Sequence, residues 1–190
     1  RELRENLKKN VEQERKLIIS EKETSEIISI YENKIASHWR KIIRDIEIPF
    51  YIYSGKIIQN YQLGCGLFIR EKDNYEKSIM FVSGLENDHD AINYLSSGQL
   101  SGLVIAFTLA LNTVYEQKSL SVLLIDDPVQ TMDEINVASF VELVRNDFSN
   151  KQIILSTHEE EISKYIRYKF SKYNLSTKRI NVKNKLNNII

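Results

Sequence analysis

Cysteine, proline and glycine are scarce in this sequence. Its 190 residues include one cysteine, two prolines and six glycines. The single thiol, Cys65, excludes an internal disulfide and a cysteine zinc cluster, and it suits the reducing cytoplasm in which we expect the protein to reside. So few prolines and glycines argue against long flexible linkers. The sequence also lacks a signal peptide and an apolar run long enough to predict a membrane span, so no membrane partner is expected.

Net charge is missing as well, since 26 basic residues balance 26 acidic ones. Any electrostatic preference for a partner must therefore come from a local patch. Apolar residues at 42% and charged residues at 27% are ordinary for a soluble protein, and the length suits one core plus an appendage. The first residue is Arg1 and not methionine, so we expect a piece of a longer polypeptide.

Residues 1–47 form the first predicted domain. Residues 1–46 lack proline and glycine and are rich in Glu, Lys and Arg. Their apolar residues recur at steps of three and four, which predicts a helix on the order of 70 Å long with one apolar seam. Such a seam on a long polar helix is typical of a coiled-coil arm. Two shorter surface helices are the alternative, because the pattern weakens between Ser20 and Ser25. The seam consists of Leu3, Leu7, Val11, Ile28, Tyr31, Ile35, Trp39, Ile42 and Ile46.

Residues 48–190 form the second predicted domain, which has an α/β pattern. Short aromatic and β-branched runs predict three strands, and a hairpin connects the last two at KDNYEK (72–77). The strands are FYIY (50–53), CGLFIR (65–70) and SIMFVSG (78–84).

A buried helix and two core strands follow. Residues 97–118 are apolar on nearly every side, which predicts a buried helix. Continuous apolar runs within 119–128 and 151–161 predict strands covered on both faces, and the amphipathic helix 136–148 lies between them. Strand, helix and strand with polar residues at the strand ends indicate an α/β sheet that displays a site.

Carboxylates and a histidine follow the two predicted core strands. Asp126 and Asp127 come directly after the first strand, and His158 follows the second. If the strands are neighbours, these side chains meet at one edge of the sheet. Adjacent carboxylates repel each other unless a cation is present, and Mg²⁺ held by carboxylates and phosphates is the usual arrangement. The alternatives are a solvated turn ended by Pro128 and an ordinary surface histidine.

The stretch NYLSSGQLSG (93–102) looks like half of a phosphate-binding site, since small residues and glycine precede a long helix. Because serine is a favoured N-cap residue, the alternative is that Ser96, Ser97 and Gly98 simply cap that helix. The order of this stretch, the paired aspartates and the histidine favours the functional interpretation.

Four segments in this order resemble the motifs of ABC-type ATPases. A helical arm before the first of them, in place of a transporter's subdomain, is similar to the SMC, RecF and SbcC branch. Within that branch, IDDPVQTMDEIN (125–136) resembles SMC-like ATPases of bacterial DNA repair and anti-phage defence, Lamassu among them. The segments are LSSGQ (95–99) for the signature, VLLIDDP (122–128) for Walker B, MDEIN (132–136) for the D-loop and STH (156–158) for the switch histidine.

The resemblance implies a fold and a chemistry. The chain would be the C-terminal lobe of an ABC-type ATPase head, a mixed sheet flanked by helices, with an N-terminal coiled-coil arm. Its implied cofactors are ATP and Mg²⁺. Asp126 would coordinate Mg²⁺, Asp127 would polarise the attacking water, and His158 would contact the γ-phosphate. The family usually has glutamate where Asp127 stands, so the shorter side chain predicts slow turnover.

The resemblance also implies a second head as partner. Ser96, Ser97, Gly98 and Gln99, with the N-terminus of the helix that follows, would meet the γ-phosphate of nucleotide held by that head. Asp133 would contact the opposite head across the same interface. Such a site works only when two heads close on two ATP molecules, and phosphoryl transfer then depends on positioning and charge stabilisation.

A Walker A loop, G-x-x-x-x-G-K-[ST], is missing. The nearest candidate is FYIYSGKI (50–57), where Phe50 replaces the first glycine and Ile57 replaces Ser or Thr. Only glycine allows the close backbone approach to phosphate and only the hydroxyl ligates magnesium, so this segment is rejected as a phosphate loop. The resemblance explains the absence, because SMC-like proteins carry Walker A in an N-terminal lobe before the coiled coil. That lobe of the same protein is the first expected partner.

The C-terminal segment from residue 162 contains no acidic residue. Basic residues interleaved with aromatic ones suit contact with nucleic-acid phosphates and stacking on bases. The alternative is a solvated amphipathic helix whose aromatics pack on the sheet, and we expect packed aromatics in either case. The candidate DNA-binding residues are Lys164, Arg167, Lys169 and Lys172, the interleaved aromatics are Tyr165, Tyr168, Phe170 and Tyr173, and further cations are Lys178, Arg179, Lys183 and Lys185.

Two functions remain as predictions. In the first, an SMC-like ATPase fragment, inactive alone, uses ATP to clamp or sense DNA and signals to a nuclease or another effector. In the second, the chain is a non-catalytic dimerisation or regulatory module that keeps the motifs as an interface. A transporter subunit is disfavoured, because the apolar sequence LSGLVIAF (100–107) follows the signature where transporters usually have a polar, arginine-rich start.

Overall fold

The computed structural model describes residues 2–59, 65–72, 78–84, 86, 89–116 and 121–182. The chain divides into two units, Arg1–Asp45 and Ile46–Ile190. Helices and two small sheets alternate in the second unit, which confirms the predicted α/β class. The elements are α1 (Glu2–Ile58), β1 (Phe68–Glu71), β2 (Ile79–Val82), a 3-10 helix (Ala91–Asn93), α2 (Ser97–Val114), β3 (Val122–Ile125), α3 (Glu134–Asp147), β4 (Gln152–Leu155) and α4 (Glu160–Lys172).

Helix α1 is continuous over 57 residues, so the alternative of two shorter helices in residues 1–46 is wrong. The weakened apolar pattern between Ser20 and Ser25 does not end the helix, because these residues include good helix formers and neither proline nor glycine. In the first unit the seam residues from Leu3 to Trp39 are exposed. That they pack against a second helix as a coiled-coil arm stays a prediction.

The C-terminal part of α1 belongs to the core of the second unit. Phe50, Tyr53 and Ile57 are buried on one face of the helix. The interpretation of FYIY (50–53) as a strand is wrong, because the helical spacing of buried residues, set by Ile46, continues through that run. Residues 54–56, which belong to the rejected Walker A candidate, are also helical.

Strands β1 and β2 confirm the other two strand predictions in this part of the chain. They pair antiparallel, with Phe68 opposite Val82. Apart from Lys72, the predicted hairpin connection KDNYEK (72–77) lies outside the described residues. Phe81 of β2 contacts Phe50 of α1 and Phe107 of α2, with ring centroids 5.3 and 6.1 Å away. These aromatic contacts join α1, the β1–β2 sheet and α2 into one core.

Helix α2 buries only one side, although its sequence predicted burial on nearly every side. Leu103, Ala106 and Leu109 are buried, whereas Val104 is 59% exposed. The prediction assumed that elements of this chain cover every side of the helix. Within the described residues none covers the side that carries Val104.

Helix α2 is also long and apolar enough to cross a membrane, by length and composition alone. This corrects the expectation that the sequence has no such run. The core helix of a soluble protein passes the same test, so one such helix is weak evidence of a membrane span. The buried side of α2 and its packing on the aromatic core are features of a core helix.

Strands β3 and β4 pair in parallel and α3 connects them. This is the predicted strand, helix, strand order, and its carboxyl edge positions the candidate site. Helix α3 packs Phe140, Val141 and Val144 into the core.

One face of the β3–β4 sheet is open, so the prediction that both strands are covered on both faces is wrong. Leu124 and Ile154 stand opposite each other in the register, and they are 71% and 48% exposed. Leu123, on the other face, is buried. The apolar runs correctly predicted strands, but nothing in the described residues covers the second face.

Candidate functional site

The carboxyl ends of β3 and β4 bring Asp127 and His158 together. Asp127 Oδ2 lies 2.6 Å from His158 Nδ1, and with Nδ1 protonated the imidazole donates this hydrogen bond. The two residues are 31 positions apart, and only the parallel pairing of the strands makes them neighbours. The prediction that the histidine lies beside the aspartate pair is therefore confirmed in geometry, while the catalytic roles stay a prediction.

Ser156 joins both aspartates and was missed as a site residue. Its hydroxyl donates to Asp126 Oδ1 and accepts from the backbone N–H of Asp127, 2.9 Å away. The backbone N–H of Ser156 donates to the carbonyl of Ile125, which extends the strand pairing by one residue. The hydroxyl directly after β4, opposite the aspartates, is the signal that could have identified it.

Asp127 has an unusual backbone and an unused oxygen. Its φ is +40°, in the left-handed region that non-glycine residues rarely adopt. Holding such a conformation costs on the order of 1–3 kcal/mol, and strained residues cluster at functional sites. Its Oδ1 is buried and has no hydrogen-bond partner among the described residues. The backbone therefore aims a carboxylate whose second oxygen is available to a ligand.

These residues fit the magnesium ion that the sequence implies. The unused Oδ1 of Asp127 and the exposed Asp126 offer carboxylate oxygens, which Mg²⁺ prefers. Within the part of the chain that the structure describes, no group of three or more His, Cys, Asp and Glu side chains could hold a metal ion alone. Mg²⁺ usually takes one or two protein carboxylates and fills its other positions with phosphate and water.

The predicted signature segment lies at the N-terminus of α2. Ser96 is the N-cap: its hydroxyl accepts from the backbone N–H of Gln99, 3.2 Å away, and the Gln99 side chain accepts from the backbone N–H of Ser96. The alternative interpretation, in which this stretch caps the helix, thus holds for Ser96, and Gln99 is its capping partner. The Ser97 side chain is exposed and makes no hydrogen bond within the described residues. It remains available for a ligand at the helix N-terminus, whereas the Gln99 amide is engaged by Ser96.

Gly98 brings the signature segment against the loop that follows Asp127. A Cβ at this position would lie 2.6 Å from the backbone oxygen of Thr131, so only glycine fits without movement. One turn later, the Ser101 and Thr131 hydroxyls are 2.5 Å apart. The signature segment and the predicted D-loop therefore form one packed unit. No hydrogen bond among the described residues joins residues 96–99 to Asp126, Asp127 or His158.

Asp133 caps α3, a role the sequence interpretation did not assign. Its Oδ1 accepts from the backbone N–H of Asn136, 2.7 Å away. Asn136 is 2% exposed, and in its corrected amide orientation it donates to the carbonyl oxygens of Ile57 and Ile58, at 2.9 and 3.2 Å. Asn136 therefore ties the predicted D-loop to the end of α1, and its position three residues after a capping aspartate was the available signal. Contact of Asp133 with a second head stays a prediction.

Two of the four candidate DNA-binding residues are held in ion pairs. Lys164 lies 2.9 Å from Glu161, and Lys169 lies 2.7 Å from Glu142. The hydrogen bond to each carboxylate raises the pKa of that lysine above its ordinary value. The other two, Arg167 and Lys172, have no ion-pair partner among the described residues.

The aromatic residues of α4 are only partly packed. Tyr168 is 60% exposed and Tyr173 is 50% exposed, with the guanidinium carbon of Arg145 3.6 Å from the Tyr173 ring centroid. Tyr165 and Phe170 are half-buried. The expectation of packed aromatics thus fails for Tyr168. Lys183 and Lys185 lie outside the described residues.

Comparison with solved structures finds SMC ATPases and their heads. One structure concerns ATP-driven dimerisation and DNA-stimulated activation of SMC ATPases, with 16% identity over 70% of this chain and 76% of that one, and a TM-score of 0.49. The Smc head bound to the C-winged helix domain of ScpA shares 18% identity over 63% and 36% of the chains (TM-score 0.48). The SMC head domain from Thermotoga maritima shares 16% identity over 68% and 44% (TM-score 0.45).

These likenesses carry no argument about function by themselves, because the identities are below 25% and the TM-scores are below 0.5. The chain spans less than half the length of the second and third of these structures. No protein-family model and no curated protein matches the sequence.

Proposed function

We propose that this chain is the C-terminal lobe of an SMC-like ATPase head. Completed by a lobe with a Walker A loop, it binds and hydrolyses ATP between two heads. The observation that carries the proposal is the hydrogen bond between Asp127 and His158 at the ends of two parallel strands, beside Asp126. Carboxylates that ligate a magnesium ion and orient a water, together with a histidine at the same edge, are what phosphoryl transfer from ATP needs.

Each residue of this cluster has a distinct role in the proposed reaction. Asp126, positioned by the Ser156 hydroxyl, is the carboxylate that holds Mg²⁺, and the bound ion supplies charge neutralisation on the phosphates. Asp127, fixed by its contact with His158, orients the attacking water and accepts its proton. The hydrogen bond between His158 Nδ1 and Asp127 fixes the carboxylate and leaves Nε2 of the imidazole to contact the γ-phosphate.

The open face of the β3–β4 sheet supports the proposal that this chain is only one lobe of an ATPase head. Leu124 and Ile154 form an exposed apolar pair on strands whose other face is buried. Burying apolar surface of this kind is favourable by roughly 25 cal/mol per Å². The occupant we assign is the lobe that carries the Walker A loop, because the phosphate-cradling half of the site is missing from the described part of this chain.

The signature segment supports a second head as partner. The Ser97 side chain is exposed at the N-terminus of α2, while Gly98 and Ser101 fix the position of the segment on the Thr131 loop. A positively polarised helix N-terminus in a fixed position suits a γ-phosphate presented from outside. Asp133 lies in the same packed unit, where its exposed side would meet the opposite head.

DNA clamping or sensing, in repair or in anti-phage defence, is the finer part of the proposal. Arg167 and Lys172 support it, since both lie on α4 without an ion-pair partner in the described residues. A nuclease or other effector subunit would respond to the closed heads. The proposed location is the cytoplasm.

A non-catalytic dimerisation module is the second candidate, and one observation favours it. Asp127 is one methylene shorter than the usual glutamate, which limits its reach to the attacking water. In such a module ATP closes the heads but is not hydrolysed.

The experiment that separates the two functions is phosphate release by the two-lobed protein at increasing protein concentration. A catalytic head dimer releases phosphate at a rate per head that rises with concentration, because each site needs two heads. ATP-dependent dimerisation without phosphate release supports the non-catalytic module. Failure to dimerise with ATP contradicts both.

A further inference from the structure

A cleft of about 280 Å³ lies between α4 and the segment that follows it. The chain turns at Tyr173 and Asn174, and Arg179 then reaches Glu160 in the first turn of α4, with 3.4 Å between Nη1 and Oε1. The segment thus runs back along the helix and forms the second wall. We call this the tail cleft. It is lined by Lys164, Arg167, Tyr168, Ser171 and Thr177.

The four helical residues of the tail cleft share one face of α4. Positions 164, 167, 168 and 171 follow the i, i+3, i+4, i+7 spacing, so their side chains line up along the cleft. They combine two cations, an aromatic ring and a hydroxyl, and Thr177 adds a second hydroxyl from the opposite wall. Basic, aromatic and hydroxyl groups are the side chains that contact phosphate, base and sugar in nucleic-acid complexes.

Charge pairing leaves one free cation in the tail cleft as the structure describes it. Lys164 lies 2.9 Å from Glu161 and 3.8 Å from Glu160, so its charge is compensated. Arg167 has no ion-pair partner among the described residues. The acidic first turn of α4 repels a phosphate backbone laid along the whole helix. One phosphate at Arg167 fits this arrangement better than a row of phosphates.

The exposed ring of Tyr168 distinguishes single strands from duplexes. It is 60% exposed although it lines a concave surface, and unlike Tyr173 it has no cation over its ring among the described residues. An aromatic ring of this kind stacks on an unpaired base, whereas the bases of a duplex are already stacked on each other. The volume of about 280 Å³ is just below the usual range for small-molecule sites, so the cleft has room for no more than a single nucleotide unit.

We propose that the tail cleft binds one nucleotide of single-stranded nucleic acid. Tyr168 stacks on its base, Arg167 binds its phosphate, and Thr177 donates to its backbone. This inference rests on the proposed function and specifies the kind of nucleic acid that the chain contacts. The binding itself does not depend on ATP.

The test is fluorescence anisotropy of the two-lobed protein without nucleotide, titrated into labelled oligothymidylate, oligouridylate and a hairpin duplex. We expect tighter binding to a single strand than to the duplex. Tyr168→Ala should weaken single-strand binding by about 5- to 150-fold, the loss of one stacked base, and Tyr168→Phe should retain it. Tighter binding of oligouridylate than of oligothymidylate identifies RNA as the ligand of the same cleft, and the reverse order identifies DNA.

A salt series tests the phosphate contact. Arg167→Gln should lower the slope of log affinity against log salt by about 0.7 on a single strand. Lys22→Gln is the control, because Lys22 is an exposed cation on α1 outside the tail cleft. A loss with Lys22→Gln equal to that with Arg167→Gln overturns the inference in favour of general attraction to basic side chains.

The outcomes also separate this inference from the broader proposal. Duplex binding that is insensitive to Tyr168→Ala, without a preference for single strands, overturns the tail cleft but leaves a DNA contact. Absence of binding to all three probes overturns both. Because Tyr168 is exposed, its variants should keep the thermal unfolding midpoint of the wild type, which confirms that a loss of binding is local.

Discussion

Asp127 and His158 lie 2.6 Å apart at the ends of β3 and β4, and the Asp127 backbone is held at a φ of +40°. The contact engages one carboxylate oxygen and leaves the other buried without a partner among the described residues. A carboxylate held in this way is suited to orient a water molecule, and strained backbone of this kind clusters at functional sites although it costs stability.

Asp127→Asn in the two-lobed protein should leave ATP binding intact and slow hydrolysis by about 100-fold or more, because the amide keeps the shape but cannot accept the proton. The head dimer should then persist longer with ATP. Phosphate release and the lifetime of the dimer in size-exclusion chromatography measure the two effects. Asp127→Glu is the matched control, and its longer carboxylate should hydrolyse ATP at least as fast as the wild type. Unchanged phosphate release from Asp127→Asn would show that another group activates the water.

Ser97→Arg should prevent ATP-driven dimerisation, because a long cation occupies the space that the partner's phosphate needs. The Ser97 side chain is exposed and makes no hydrogen bond within the described residues, so folding should be unaffected. Thr108→Arg is the control, since it adds the same side chain to an exposed position further along α2. Analytical ultracentrifugation with ATP compares the variants. Normal dimerisation of Ser97→Arg would mean that residues 95–99 are not a signature motif.

Gly98→Ala should destabilise the second unit by about 1–3 kcal/mol, the usual cost of overpacking. The added Cβ would meet the Thr131 backbone oxygen at 2.6 Å, and backbone cannot rotate away. Gly102→Ala should cost less, because its Cβ would meet the Ile57 side chain at 3.0 Å and that side chain can shift. Gly98 lies in the first turn of α2 and Gly102 lies further inside it, so the helix propensity gained by Gly102→Ala, at most about 1 kcal/mol, must be subtracted before the difference in unfolding free energy reports packing. A Gly102 variant that is less stable than the Gly98 variant would refute the close approach.

Acid should loosen the attachment of α4 to α3. Hydrogen bonds from Lys169 and then from Arg145 lower the pKa of Glu142 below its ordinary 4.5. A lowered folded pKa contributes stability that is present above about pH 4.5 and is lost as pH falls through the folded value. Glu142→Gln should therefore cost less than about 1 kcal/mol near neutral pH, since the pair is partly exposed, and should reduce the acid dependence of unfolding.

Glu161→Gln is the control for that experiment. Its carboxylate is 86% exposed and holds Lys164 within the same helix, so no measurable change in stability is expected. Thermal unfolding monitored by circular dichroism between neutral pH and pH 3 compares the variants. If wild type and Glu142→Gln lose stability in parallel down to pH 3, the ion pair does not attach α4.

The sequence predicted the site better than it predicted the covering of the sheet. One apolar run is followed by Asp126 and Asp127 and another precedes His158, and both correctly predicted strands with polar residues at their ends. Short buried runs bounded by turn residues have few alternative structures. The same runs did not reveal that Leu124 and Ile154 are exposed, because residue type reports the capacity for burial and not the presence of a cover.

The end of α1 shows a second limit. Phe50 and its neighbours are apolar in a continuous run, which fits a strand and a buried helix equally well over four residues. Their spacing relative to Ile46 and Ile57 is that of a helix. This spacing is visible only when residues 50–53 are considered together with the preceding helical residues. Ser156 and Asn136 were missed for a different reason, since their roles depend on partners that are distant in sequence.

The most direct test of the split-head account is ATP binding by this chain alone and by the chain joined to its Walker A lobe. Equilibrium binding of radiolabelled ATP and steady-state phosphate release should be measured on both with Mg²⁺. The account predicts no tight binding and no phosphate release by the chain alone, because the loop that cradles the phosphates is absent from it, and it predicts tight binding once the lobe is present. Submicromolar ATP affinity of the isolated chain, or sustained phosphate release from it, would contradict the account.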